Sequence, residues 1–128
     1  MAKSKNVLII DDDSDDIEIF SAVLLEIDPS IQIDAISDST TALAELCDGS
    51  KPHPDFILLD INMPKMDGIQ ATAHIKARYP SVLVLGISIN ADDEYRDAMV
   101  RAGAISLISK QVAINQLHEA IVGATRRA

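Results

Sequence analysis

Short, unbroken apolar runs alternate along the chain with stretches of helical periodicity. Val7-Leu8-Ile9-Ile10, Phe56-Ile57-Leu58-Leu59, Val82 to Ile87 and Ile105-Ser106-Leu107-Ile108-Ser109 have the length and the aliphatic, β-branched content of buried parallel strands. Ile31-Gln32-Ile33-Asp34-Ala35-Ile36 alternates with a period of two, which predicts a half-exposed strand near a sheet edge. Between the strands, Ile17, Phe20, Leu24 and Ile27 mark one face of a helix capped by Ser14 and stopped at Asp28-Pro29. Asp38 or Ser39 is the expected cap of a second helix presenting Ala42, Leu43 and Leu46, with a loop over 48–52 after it. Gly68 opens a third helix through Ile69, Ala73 and Ile75 that ends before Pro80. A fourth runs from about Asp92 to Ala102 and stops at Gly103, and a last one from about Ala113 to Thr125 presents Ile114, Leu117 and Ile121 to the core.

Five βα units in succession imply an α/β fold, a parallel sheet with helices on both faces and right-handed crossovers. The alternation alone does not choose among the wound strand orders. At 128 residues, one domain over 1–128 is expected, with a core of about 5–125. Hydrophobic residues make up 48% of the chain but aromatics only 3%, so that core must be built from aliphatic side chains and methionine. A formal charge of -9 argues against direct binding to nucleic acid or to an anionic membrane, and Arg126-Arg127 is too short to change that. The single cysteine, Cys47, excludes an intrachain disulfide and reads as a small buried hydrophobe on a helix. No apolar stretch has the length of a membrane span or signal segment, which predicts a soluble cytoplasmic protein.

Function groups in open α/β sheets collect just past the carboxyl ends of strands. Asp11 and Asp12 end the first strand, Asp60 the third and Lys110 the fifth, so three acids and one lysine are expected to meet. Three carboxylates within about 4 Å repel by about 4 kcal/mol per pair at an effective dielectric near 20. A hard divalent cation relieves this at neutral pH, and Mg²⁺ suits carboxylates, water and phosphate oxygens. Asp13, Asp15 and Asp16 read as a solvated, dipole-favoured helix start. Taken singly, Asp60 fits a turn cap as well as a catalyst. Beside a metal and a lysine it can act as a nucleophile toward phosphorus, with Lys110 offsetting charge on the transferring oxygens and Ser88 donating a hydrogen bond to them.

The runs Val7-Leu8-Ile9-Ile10-Asp11-Asp12 and Leu59-Asp60-Ile61-Asn62-Met63-Pro64-Lys65-Met66-Asp67-Gly68, then Ser88, then Ala102-Gly103-Ala104 leading to Lys110, together resemble the receiver (CheY-like) domain of two-component response regulators. The resemblance extends from about Lys5 to Thr125. It implies a flavodoxin-like doubly wound (βα)5 fold with a five-stranded parallel sheet in the order 2-1-3-4-5. It also implies phosphorylation of Asp60 by a phosphohistidine on a sensor histidine kinase or phosphotransfer protein. Mg²⁺ would be held by Asp12, Asp60 and the backbone carbonyl of Asn62, with Asp11 acting through water. Lys110 and Ser88 would bind the phosphoryl group, and a downstream effector or output domain would read the result, with a homodimer as a further partner.

Three residues depart from the family pattern. Leu107 stands where receivers usually carry a switch aromatic, so Ser88 and Leu107 would have to signal through the packing or mobility of the fourth helix and fifth strand. Ile89 stands where a small residue is common, and with Asn62 and Asn90 is expected to tune the lifetime of the phosphorylated form. Gln111 replaces the proline that often follows the lysine, which disfavours a cis peptide there. Ala98, Met99, Val100 and Ala102 make the fourth helix, with the fifth strand, the favoured partner surface. Three other readings compete. A Mg²⁺-dependent aspartyl-nucleophile phosphatase needs an acid two residues after the nucleophile, where Asn62 stands. A flavin-binding domain needs a Ser/Thr-rich loop where the chain has acids at 11–16, and an inert receiver would not keep every reactive group. His53, His74 and His118 lack metal-ligand spacing and read as surface residues.

Overall fold

Aliphatic strands bury both faces only if helices cover both sides of the sheet, and that is the arrangement found. The structure, a computed structural model, describes residues 5–38, 41–48, 53–63, 66–113 and 119. Strands β1 (Asn6–Ile10), β2 (Gln32–Ile36), β3 (Phe56–Asp60), β4 (Leu83–Ser88) and β5 (Ser106–Ser109) alternate with helices α1 (Ser14–Ile27), α2 (Ala42–Cys47), α3 (Gly68–Arg78) and α4 (Asp93–Ala102). All strand pairs are parallel and the order is β2-β1-β3-β4-β5. The strand with period-two alternation lies at one edge, where burial of only one face is required.

Successive strand residues point to opposite faces and divide the core in two. Leu8, Ile10, Ile57, Leu59, Val84 and Leu107 pack with Leu46 of α2, Ile75 of α3 and Met99 of α4. Val7, Ile9, Phe56, Leu58, Leu85 and Ile87 pack with Phe20 and Leu24 of α1 and with Ala113. Residues 110–113 are helical; of the expected last helix, 114–118 and 120–125, with Ile114, Leu117, His118 and Ile121, lie outside the described residues, as do Ser39, 49–52, the Cys47 side chain and Arg126-Arg127. No cis peptide occurs among the described residues.

The helix termini differ in detail from the sequence expectation. Asp13, not Ser14, caps α1: its backbone is extended and its carboxylate accepts the Asp15 N–H (2.9 Å), while Ser14 is already inside the first turn. Thr41, not Asp38, is the α2 cap residue; the Asp38 backbone carbonyl accepts the Thr41 N–H instead. Asp67 caps α3 by accepting from Ile69 and Gln70. Ala73 is exposed, and the buried α3 residues are Gly68, Ala71, Thr72 and Ile75. Gly68 permits a close approach: a Cβ there would lie 2.6 Å from Ile61 Cγ2. Gly103 ends α4 with φ 116°, a left-handed cap that glycine adopts without strain. The α4 surface is less apolar than expected, since Met99 is fully buried and Val100 is the large exposed hydrophobe of that stretch.

Candidate functional site

The strand registers bring the polar residues to one level. Ile10 pairs with Leu59, Leu59 with Gly86 and Gly86 with Leu107, so Asp11 follows β1 where β3 ends in Asp60. Ser88 pairs with Ser109, one residue before Lys110. Asp11, Asp12 and Asp60 each offer a carboxylate oxygen, all within 4.8 Å of one another. Asp11 and Asp60 are buried at 1% and 3% exposure, whereas Asp12 is exposed.

Lys110 closes the cluster. Its ammonium lies 3.5 Å from Asp60 Oδ2 and 3.8 Å from Asp11 Oδ2, and it donates to Asp16 Oδ2. Asp16 is therefore not a solvated acid of the helix start. It stands four residues before Phe20 and eight before Leu24, on the helix face that packs against the sheet, and that spacing is the signal that could have identified it. Asp60 Oδ1 accepts the Asn62 N–H at 2.9 Å, and Asp11 Oδ1 accepts the Asp13 N–H at the same distance.

Burial, reinforced by the nearby Asp60 charge, raises the Asp11 carboxyl from 3.8 to about 7, against the opposing effects of the Asp13 N–H and Lys110. Burial would lower the Lys110 pKa, but its bond to Asp16 and the charges of Asp60 and Asp11 outweigh that and raise it. Among the described residues no group donates a hydrogen bond to Asp11 Oδ2, although it is buried. A buried, under-satisfied carboxylate oxygen beside two more carboxylates is a donor set that fits a hard divalent cation.

The β4–α4 connection leaves the sheet next to Asp60, which pairs with Ile87. Ser88 is buried, and its hydroxyl donates to the Asn90 carbonyl (2.9 Å) while accepting the Asn90 N–H (3.2 Å), so it is turned to its own loop. The Asn62 side-chain oxygen accepts the Ile89 N–H at 2.7 Å and ties the β3 end to the same loop. The Ile89 side chain is 66% exposed. Leu107 is fully buried on β5, against Gly86: a Cβ on that glycine would meet Leu107 Cδ1 at 2.9 Å and Met99 Cε at 2.8 Å. His53 and His74 are exposed, with the His53 ring edge-on to Tyr79. Among the described residues no helix is long and apolar enough to cross a membrane.

The comparisons with known proteins agree with this geometry. A chain 36% identical over 98 residues is the transcriptional regulatory protein DegU of Brevibacillus brevis; the match covers 77% of this chain and 41% of that protein. A protein-glutamate methylesterase/protein-glutamine glutaminase of Rhodopseudomonas palustris is 36% identical over 113 residues, covering 86% of this chain and 30% of its own length. This chain thus spans less than half of either relative. Among solved structures, the receiver domain of a DNA-binding response regulator from Colwellia psychrerythraea superposes with a TM-score of 0.82 at 22% identity, covering 96% of this chain and 99% of that one. The phosphorylated cyanobacterial phytochrome response regulator RcpA gives 0.77 at 24% identity, over 94% and 91%. Residues 7–122 match the family model of the response regulator receiver domain, and the chain belongs to that family.

Proposed function

We propose that Asp60 is the phosphoacceptor of a two-component phosphorelay, receiving its phosphoryl group from a phosphohistidine on a sensor histidine kinase or phosphotransfer protein. The observation that carries this reading is the placement of Lys110 Nζ 3.5 Å from Asp60 Oδ2 within the buried acid cluster. A carboxylate oxygen of Asp60 attacks phosphorus, the P–N bond to imidazole breaks and the leaving histidine takes up a proton. Lys110 offsets charge on the transferring oxygens, and Ser88, released from Asn90, turns its hydroxyl toward them. Asp12, Asp60 and the Asn62 carbonyl would hold Mg²⁺, with Asp11 through water. The bound ion would neutralise the carboxylates and the incoming phosphoryl oxygens.

Asn62 stands where a phosphatase needs its general acid, and its oxygen is engaged by Ile89, which supports a switch rather than a turnover enzyme. Asn62, Ile89 and Asn90 border the loop above Asp60 and tune the lifetime of the phosphorylated form. Residues 1–128 form one receiver domain that acts in the cytoplasm, and α4 with β5 changes its affinity for an effector, an output domain or a second copy. The test is incubation with Mg²⁺ and acetyl phosphate followed by intact-mass measurement. One phosphoryl addition is expected, absent in Asp60→Asn; labelling that survives the substitution refutes the assignment.

A further inference from the structure

The side chain of Arg96 joins the β4–α4 loop to β5. Its Nε donates to the Leu107 carbonyl of β5 at 3.0 Å, and its Nη2 to the Ala91 carbonyl of the β4–α4 loop at 3.2 Å. Nη1 faces Asp93 Oδ1 at 2.6 Å. Nε and Nη2 lie on one edge of the planar guanidinium, so the two carbonyls are held at a separation fixed by a rigid group. Ala91 directly follows Asn90, the residue to which the Ser88 hydroxyl is bonded, and Ile89 is tied to Asn62. The loop above Asp60 is therefore held from three sides: by Ser88, by Asn62 and by Arg96.

The Leu107 side chain is an unpromising transmitter. It is fully buried, and the space that the absent Cβ of Gly86 leaves is already occupied by Leu107 Cδ1 and Met99 Cε. Its backbone carbonyl is a different matter, because Arg96 connects it to the loop.

We propose that Arg96 is a positioning residue that couples the loop over residues 89–92 to β5, so that withdrawal of Ser88 from Asn90 displaces Ala91 and, through the guanidinium edge, the Leu107 carbonyl. The proposal rests on the reading that Asp60 accepts a phosphoryl group. It gives a route to the α4–β5 surface that needs no rotating ring. The Asp93 pair contributes orientation only, since that carboxylate is 95% exposed.

The test uses the ¹⁵N-labelled chain with Mg²⁺ and beryllofluoride as a phosphoryl mimic, following the amides of Asp60, of Ile89 and Asn90, and of 106–109. In the wild type all three groups are expected to shift on loading. In Arg96→Gln and Arg96→Lys the Asp60, Ile89 and Asn90 amides still shift but the β5 response is lost, because neither replacement offers two donors on one rigid edge. Arg96 is partly exposed, and a thermal melt of each variant establishes that it is folded. Retention of the full β5 response in Arg96→Gln overturns the proposal, and its rescue by Arg96→Lys overturns the role of the planar edge. A wild type in which Asp60 responds but β5 does not overturns the coupling alone; one in which Asp60 does not respond overturns the phosphoacceptor reading as well. In the absence of beryllofluoride, hydrogen exchange at Ile89 and Asn90 should rise about tenfold in Arg96→Gln, as expected when a charge-assisted hydrogen bond restraining the loop is removed. Unchanged exchange overturns the restraint on which the coupling depends.

Discussion

Replacing Asp60 with asparagine removes a charge from the most crowded point of the cluster and should stabilise the chain when no divalent cation is present. Asp11 lies at most 4.8 Å away, a repulsion of at least about 3.5 kcal/mol at an effective dielectric of 20, and Asp12 adds about 1.5 kcal/mol after solvent screening. Against this, the attraction to Lys110 at 3.5 Å is about 5 kcal/mol on the same basis. The two nearly cancel, so the burial of the carboxylate decides the sign. Keeping an ion at 3% exposure costs several kcal/mol, more than a neutral amide does. Asparagine retains an oxygen for the Asn62 N–H and gains an amide that can donate to the unsatisfied Asp11 Oδ2, while Lys110 keeps Asp16 and Asp11 as partners. The net gain is about 2 kcal/mol, which for a domain of this size raises Tm by about 8 °C. Thermal melts in chelator at about pH 8 measure it; an equal or lower Tm for Asp60→Asn would refute the reasoning.

The pH dependence gives an internal control. The Asp11 carboxyl is raised from 3.8 to about 7 in the folded chain, so between those values the folded state keeps a proton that the unfolded state has released. Stability from this group is thus present at low pH and declines as pH rises from about 4 to about 7. Burial remains in Asp60→Asn but the Asp60 charge does not, so the decline should be shallower. The Tm difference between variant and wild type should be widest near pH 8 and narrow near pH 5.5, and the reverse trend would contradict the assignment of the charges.

Three further outcomes follow from local geometry. Gly68→Ala places a Cβ 2.6 Å from Ile61 Cγ2 and should cost about 2 kcal/mol in urea unfolding, outweighing the ~1 kcal/mol alanine gains in helix propensity. Asp67→Ala removes the acceptor of the Ile69 and Gln70 N–H groups and should cost about 1 kcal/mol by the same measurement. Ile89→Ala should speed loss of the phosphoryl group from Asp60 by opening the loop above it to water, as followed by intact mass over time; unchanged or slower decay would remove Ile89 from the rate-tuning set.

The strands and the convergence of Asp11, Asp12, Asp60 and Lys110 were legible in the sequence because both follow from local pattern. A buried aliphatic run shows where a parallel strand ends, and chain topology carries such ends to one edge. The helix caps were less legible because neighbouring residues compete for the same orphan N–H groups: Asp13 and Ser14 both suit the role, and backbone geometry chooses between them. Arg96 was not legible at all. Its partners are backbone carbonyls at 91 and 107, and a carbonyl carries no sequence signal of where it points.

Asp16 lies between these cases and changes how the site must be understood. With all groups ionised, Asp11, Asp12, Asp16 and Asp60 face, among the described residues, the one ammonium of Lys110, an excess of three negative charges, to which the proposed phosphoryl group would add about -1.5 to -2 more. Lys110 cannot balance that sum, and its bond to Asp16 draws part of its charge away from Asp60. The same bond holds the ammonium at the sheet edge, a few ångströms from the Asp60 oxygen, where a free lysine would lose side-chain entropy on being ordered. Asp16 therefore weakens the static attraction between Lys110 and Asp60 while holding the lysine beside Asp60, where the proposed phosphoryl group would lie. The cluster is unfavourable as it stands, and on the proposed reading it would become favourable when a divalent cation enters with the phosphoryl oxygens, which is the energetic asymmetry a switch requires.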